Sequence, residues 1–347
     1  VRSALGQLIA RRAGSNLGAY RNNMKIIGLE EHFWTPEIAA ALNQPGQREA
    51  SMDLYQDPTL LHRLQDLGED RLRQMDLIGL DMMVLSVTTP ATQALPPAQA
   101  VPLACQANDR LAAAIKAHPD RFAGFATLPT PDPAAAEGEL HRAVQELGLR
   151  GAMIHARTAD KYLDHPDYRP LLAAAREVPI YLHPQIPPQP VRARYYDGFD
   201  PALSLSFATS GWGWHLDAGV AALRLILAGV FDELPTLQIV LGHWGEMVTF
   251  FLERVNLMTA SAKSLKLPVT EYYRQNFYVT PGGMFSTRYL QEAVEIMGSE
   301  RVLYATDYPF VYRPDGTARH FLEQAAISDD ARANIAHRNA ERLLKLS

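Results

Sequence analysis

Ile26-Ile27-Gly28-Leu29-Glu30-Glu31-His32-Phe33 is an apolar, strand-forming run that ends abruptly in two carboxylates and an imidazole. Side chains alternate along a strand, so Glu30 and His32 are expected on one face and Glu31 on the other. Two residues on one face can reach a single point, as two metal ligands must. A polar strand end would look the same in isolation. Three later strand ends, however, finish in the same chemistry.

Outward from that stretch, short apolar runs rich in strand formers alternate with longer amphipathic ones. The expected strands are Lys25–Glu30, Met82–Ser86, Ala123–Thr127, Gly151–His155, Ile180–His183, Gln238–Gly242, Phe277–Thr280 and Arg301–Thr306. Expected helices between them include Asp109–Ala117, Ala134–Leu147, Tyr168–Arg176, Ala218–Ala228 and Arg288–Ile296. Eight strand-then-helix units imply an α/β fold in which a parallel sheet closes as a distorted (β/α)8 TIM barrel. The open doubly wound sheet is the alternative, but no glycine-rich phosphate loop follows the first strand. Two connections exceed an ordinary loop. Phe33 to Asp81 is expected to include a small cap over the barrel mouth. Pro184 to Gly213, with Arg192, Arg194, Tyr195 and Tyr196, suits either a lid over an anionic ring or a subunit contact.

In such a barrel the C-terminal strand ends share one cavity. The fifth strand ends Leu182-His183-Pro184, the sixth Gly242-His243-Trp244-Gly245-Glu246, and the eighth Thr306-Asp307-Tyr308-Pro309. With Glu30 and His32 these put carboxylates and imidazoles on one rim, which reads as a metal site. His155 closes the fourth strand and fits a pocket or a packing role equally. His215, in Gly211-Trp212-Gly213-Trp214-His215, fits contact with a substrate or with a neighbouring helix. Trp34, Tyr195, Tyr196, Trp212, Trp214, Trp244 and Phe310 are candidates for an aromatic-lined pocket, or for subunit contacts.

At 347 residues, with 47% hydrophobic and 20% charged residues, the chain has ample core for a globular protein. A formal net charge of -5 argues against nucleic acid as a partner. No apolar run approaches the roughly 18 residues that span a bilayer. The single cysteine, Cys105, excludes an intramolecular disulfide and is expected to be an inert thiol in a helix; a cytoplasmic location fits. Residues 1–23 carry arginines and no acidic residue, and read as a non-catalytic extension. Residues 24–347 read as a single metal-dependent barrel domain.

The joint set Leu29-Glu30-Glu31-His32-Phe33, Leu182-His183-Pro184, Gly242-His243-Trp244-Gly245-Glu246 and Thr306-Asp307-Tyr308-Pro309-Phe310 resembles the amidohydrolase superfamily. It is most similar to the branch of γ-resorcylate and 2,3-dihydroxybenzoate decarboxylases, from about Met24 to the C-terminus. The resemblance implies that Glu30, His32, His183 and Asp307 bind one divalent metal, zinc or manganese. It implies that His243 is a catalytic partner, supported by Glu246 and Arg254, and that the chain forms a homodimer or homotetramer. The superfamily usually begins with His-x-His and often has a bridging lysine. Here Glu30 replaces the first histidine and no lysine lies at the strand ends, which favours a mononuclear site.

The activity so implied is metal-dependent, non-oxidative decarboxylation of a small hydroxylated aromatic acid, dihydroxybenzoate-like, with Asp307 as general acid. The alternative is metal-dependent hydrolysis of a lactone, ester or amide. From the residues alone, Glu246 three positions after His243 could orient the imidazole or cap a helix. Arg254, eight further on, falls on nearly the same helical face as Glu246, where a structural ion pair is the plain alternative to a catalytic role.

Overall fold

The computed structural model describes residues 24–45 and 48–346, so the expected extension 1–23 lies outside the described residues. Seven strands form the barrel wall: β1 (Ile27–Phe33), β2 (Met82–Val87), β3 in two pieces (Phe122–Gly124 and Ala126–Thr127), β4 (Ala152–His155), β5 (Ile180–His183), β6 (Ile239–Leu241) and β7 (Phe277–Val279). All neighbouring pairs are parallel. The two pieces of β3 share one line, because Phe125 donates back to Leu85 and Ala126 donates forward to Gly151.

The expected eighth strand, Arg301–Thr306, is not a regular strand. The 302–308 segment instead makes single parallel bridges, Val302 to Val279 and Tyr304 to Gly28, with a further one between Tyr308 and Glu31. Leu303 donates to Val279 O, while Leu29 and His32 donate to Tyr304 O and Tyr308 O, at 2.9, 2.9 and 2.7 Å. These bonds join the last strand to the first and close the (β/α)8 barrel. Between the Tyr304 and Tyr308 bridges, Asp307 takes a left-handed conformation, φ 59°, which an extended strand excludes.

Apolar residues sort to two sides of the wall. Ile27, Leu29, Met82, Val84, Phe125, Met153, Tyr181, Val240, Tyr278 and Leu303 fill the barrel interior, and Leu344 of the C-terminal helix Asn339–Leu344 packs with them. The alternate residues, such as Met83, Leu85, Ile154, Leu182 and Leu241, face the surrounding helices. Those helices fall near their expected places: Pro97–Ala117, Pro133–Gln145, Arg169–Ala174, Gly213–Leu227 and Thr287–Met297. Asp132 and Ser286 cap two of them through the Ala135 and Tyr289 amides.

The long connection after β1 folds into helices Pro36–Leu42, Pro58–Gln65 and Glu69–Ile78 around a short 3-10 turn, Ala50–Tyr55. It lies over the mouth as expected. Tyr55 packs on Phe310 beyond the eighth segment, and the Gln185 amide beyond β5 donates to Glu49 at 3.2 Å.

Candidate metal centre and active site

A β-bulge sets the direction of the first two ligand candidates. Between Gly28 and Glu31, β1 advances three residues while its partner β2 advances two, from Met83 to Leu85. The extra residue lets Leu29 and Glu30 both face the interior, so His32 follows Glu30 inward and Glu31 turns outward. Without it, the alternation begun by Ile27 and Leu29 would bury Glu31 in the barrel and send Glu30 and His32 to the helices.

Glu30, His32 and His183 converge: their ligand atoms all lie within 4.8 Å of one another. His183 Nε2 is 3.5 Å from Glu30 Oε1, and His32 Nε2 is 3.5 Å from Asp307 Oδ1. The remaining atoms of these groups are occupied. Tyr181 OH donates to Glu30 Oε2 at 2.7 Å, and His183 Nδ1 donates to Pro184 O at 2.8 Å. That bond leaves the Nε2 lone pair of His183 directed at the cluster. Burial pushes His32 down to about 4 and His183 down to about 3, so both rings are neutral, as ligation requires. Glu30 Oε1 and His32 Nε2 are buried with no hydrogen-bond partner. Two orphaned polar atoms and two neutral imidazoles facing one carboxylate fit a divalent cation, and Asp307 can complete the set.

Glycine is required where the wall meets Glu30. A Cβ on Gly242 would lie 2.8 Å from Glu30 Oε2, and one on Gly282 would lie 2.7 Å from the His243 amide nitrogen and 3.0 Å from Glu30 Oε2. After Gly242 the chain does not enter a helix as expected. His243, Trp244, Gly245, Glu246 and Met247 all have positive φ, between 47 and 87°. Such a run is strained for the non-glycine residues and occurs where a site over-determines it. It folds Glu246 back so that Oε1 meets His243 Nδ1 at 2.7 Å, and a second imidazole, that of His215, meets Oε2 at 2.8 Å. Burial works against both charges. Glu246 and Glu30 nonetheless lift His243 to about 10, while His243 and His215 hold Glu246 down at about 2.

The Glu246–Arg254 pairing does not form. Arg254 is exposed on the outer surface, beside Glu253 and Leu257. A spacing of eight puts two residues on one face only along a continuous helix. Here the chain passes from the left-handed turn to a 3-10 turn, Thr249–Phe251, and then to the short helix Leu252–Val255.

Of the candidate pocket aromatics, Phe310 packs edge-on against His32 at 5.6 Å and Trp214 lies 6.5 Å from His183. Trp34 is buried against Tyr55, and Trp244 is buried on the outer side against Phe321. Tyr195 and Trp212 are exposed and Tyr196 is buried with Ile186, Ala208 and Phe207. His155 faces the cluster, its Nδ1 3.2 Å from His183 Nδ1. Sequence reasoning missed Tyr181 as a partner of Glu30. The signal was present, since Tyr181 is two residues before His183 and therefore on the same face of β5. Cys105 lies in the helix Pro97–Ala117 as expected, half-buried; its Sγ donates to Glu139 at 3.1 Å, and burial pushes it up to about 11.

The chain belongs to the amidohydrolase family, whose pattern residues 31–346 match. Within that family its relatives include aromatic-acid decarboxylases. γ-Resorcylate decarboxylase of Rhizobium sp. (strain MTP-10005) is 37% identical over 336 residues, covering 92% of this chain and 98% of that protein. A dihydroxybenzoic acid decarboxylase structure from Polaromonas sp. JS666, with bound manganese and the inhibitor 2-nitroresorcinol, is 35% identical at TM-score 0.82, covering 93% of this chain and 97% of that one. A 5-carboxyvanillate decarboxylase structure from Novosphingobium aromaticivorans, also with manganese, is 32% identical at TM-score 0.87, covering 94% and 98%.

Proposed function

We propose that this chain is a carboxy-lyase that releases CO2 from a hydroxylated aromatic acid of the dihydroxybenzoate kind. The donor set carries the reading. Glu30, His32 and His183 converge on one point with Asp307 at its edge, and no barrel strand contains a lysine to bridge a second ion. Mixed nitrogen and oxygen ligation accepts zinc or manganese, and a six-coordinate arrangement favours manganese.

When bound, the dication supplies a Lewis acid for the substrate's carboxylate and adjacent phenolic oxygen. Direct loss of CO2 would leave an aryl carbanion, so the ring carbon must first take a proton while the ortho hydroxyl supplies electron density. Breaking the ring–carboxylate bond then returns the electron pair to the ring, and the products are CO2 and the phenol. In this reading Asp307 gives that proton. Burial pushes its carboxyl up to about 7, against the opposing charges of His243 and His215. A bound cation acts in the opposite direction. His243, whose Nδ1 is committed to Glu246, has Nε2 free to pass a proton from solvent that restores the Asp307 acid after each turnover, and to position the substrate. Phe310 and Trp214 offer apolar walls for a ring beside the ligands.

The unit so proposed spans residues 24–347 and works in the cytoplasm as an assembly of like subunits. Exposed Tyr195, Phe199, Leu203, Trp212, Leu216 and Val220 give the connection after β5 and the start of the following helix an apolar outer face that suits such an assembly. No described helix is long and apolar enough to cross a membrane. The deciding experiment loads the protein with manganese and screens dihydroxybenzoates for CO2 and phenol, with lactones and esters in parallel. CO2 with an equivalent of phenol supports the reading. Acid release from a lactone or ester without gas would overturn it in favour of hydrolysis.

A further inference from the structure

The second imidazole on Glu246 has a chemistry of its own. His215 sits near the start of the helix Gly213–Leu227, on a different element from the turn that carries His243. Its Nδ1 is 2.8 Å from Glu246 Oε2 and its Nε2 is 3.0 Å from Ser210 O. The ring thus bridges the Glu246 carboxylate and the Ser210 carbonyl, both of which accept hydrogen bonds. The Glu246 side chain is fully buried, and its other oxygen takes the His243 Nδ1 hydrogen at 2.7 Å. The two rings stand 4.6 Å apart. Four residues along the same helix, a Cβ on Gly219 would lie 2.6 Å from Glu246 O, so the helix backbone rests directly on the turn.

We infer that His215 is a positioning residue for His243. It fixes the plane of the Glu246 carboxylate from the second side. Held there, Oε1 can meet only the Nδ1 hydrogen of His243, which leaves Nε2 as the nitrogen facing the reaction. With His215 removed, the carboxylate is held from one side only and the His243 ring loses its single orientation. Groups that orient a reacting imidazole through a hydrogen bond act in this way. The clamp also ties the long connection after β5, which leads into this helix, to the catalytic turn.

The inference rests on the reading of His243 as the group that faces substrate, and its test separates the two. His215→Phe fills the space without a donor, and His215→Gln restores one. In manganese-loaded enzyme, His215→Phe is expected to lower kcat by about 10- to 100-fold with KM and metal content little changed, and His215→Gln to recover part of the loss. Imidazole NMR without substrate is expected to show one strongly hydrogen-bonded Nδ1–H signal of His243 in the parent protein and a broadened signal at weaker hydrogen bonding in His215→Phe. An unchanged His243 spectrum in His215→Phe would overturn the inference whether or not the parent protein releases CO2. So would a loss of kcat that His215→Gln does not relieve.

Discussion

Glu31 accepts both the backbone N–H and the hydroxyl of Thr306, at 2.8 and 2.6 Å, across the seam that closes the barrel. The Tyr308 N–H adds a third bond at 3.3 Å, so both neighbours of Asp307 hang from one carboxylate. Consecutive acidic residues thus serve two ends. Glu30 faces the cation site, and Glu31, on the other side of the wall, holds the strained segment that presents Asp307. Burial pushes Glu31 up to about 8 while its three donors favour the ionised form. Gly28 makes room for it, since a Cβ there would lie 2.3 Å from Glu31 Oε1.

Glu31→Gln should therefore damage more than stability. Its amide group must face a hydrogen-bond donor, and a buried donor left unsatisfied costs about 1–3 kcal/mol. The expected outcome is a melting temperature lower by several degrees together with weaker metal retention, because the Asp307 segment loses its anchor. Calorimetry and metal analysis on the same preparation check this. Unchanged melting would mean that the three bonds are not what holds the segment.

Gly282→Ala is expected to abolish turnover, whereas Gly148→Ala is not. Both glycines have positive φ, 48 and 73°, so both substitutions carry the left-handed penalty of roughly 1–2 kcal/mol. Only Gly282 adds a collision with His243 and Glu30; a Cβ on Gly148 meets nothing within 4 Å. Comparing CO2 release of the two variants, both folded by circular dichroism, isolates the close approach from the backbone strain. Equal activities would show that Glu30 and His243 move aside.

The rim was legible in the sequence because His183, His243 and Asp307 each follow a short apolar run with strand chemistry, and a barrel gathers such ends on one side. What was not legible depends on contacts between distant segments. The bulge that turns Glu30 inward leaves no mark in Gly28-Leu29-Glu30. Five successive positive φ values after Gly242 include a single glycine, so the text there reads as a helix start. That misreading also put Arg254 beside Glu246. His215 stood in view as a histidine near a helix start, but its partner is 31 residues away. The eighth strand was placed correctly, yet only isolated bridges reveal how little of it is ladder.

Metal addition should stabilise the fold measurably. The orphaned Glu30 Oε1 and His32 Nε2 gain a partner only in the loaded protein. A ligand that binds the native state alone adds about 4 kcal/mol at a thousandfold excess over its dissociation constant. Stripping with a chelator should lower the melting temperature and abolish CO2 release, and manganese should restore both. In His183→Ala the thermal shift on adding manganese should be largely lost. A full shift in that variant would place the ion elsewhere.

Asp307→Asn separates ligation from proton supply. The amide keeps an oxygen near His32 Nε2, which in the parent protein lies 3.5 Å from Asp307 Oδ1, but has no carboxyl proton to give. Metal content should fall little, while kcat should fall by roughly 10²–10⁴, the range typical for losing a positioned acid. His243→Gln should lower kcat comparably, and the double variant should be scarcely worse than either, because two groups that pass one proton act as a unit. Single-turnover CO2 release, normalised to bound metal, reads all three. If the double loss were instead the product of the two single losses, Asp307 and His243 would be acting separately. If Asp307→Asn kept more than about a tenth of parental turnover, the proton would come from another group and Asp307 would be a ligand only.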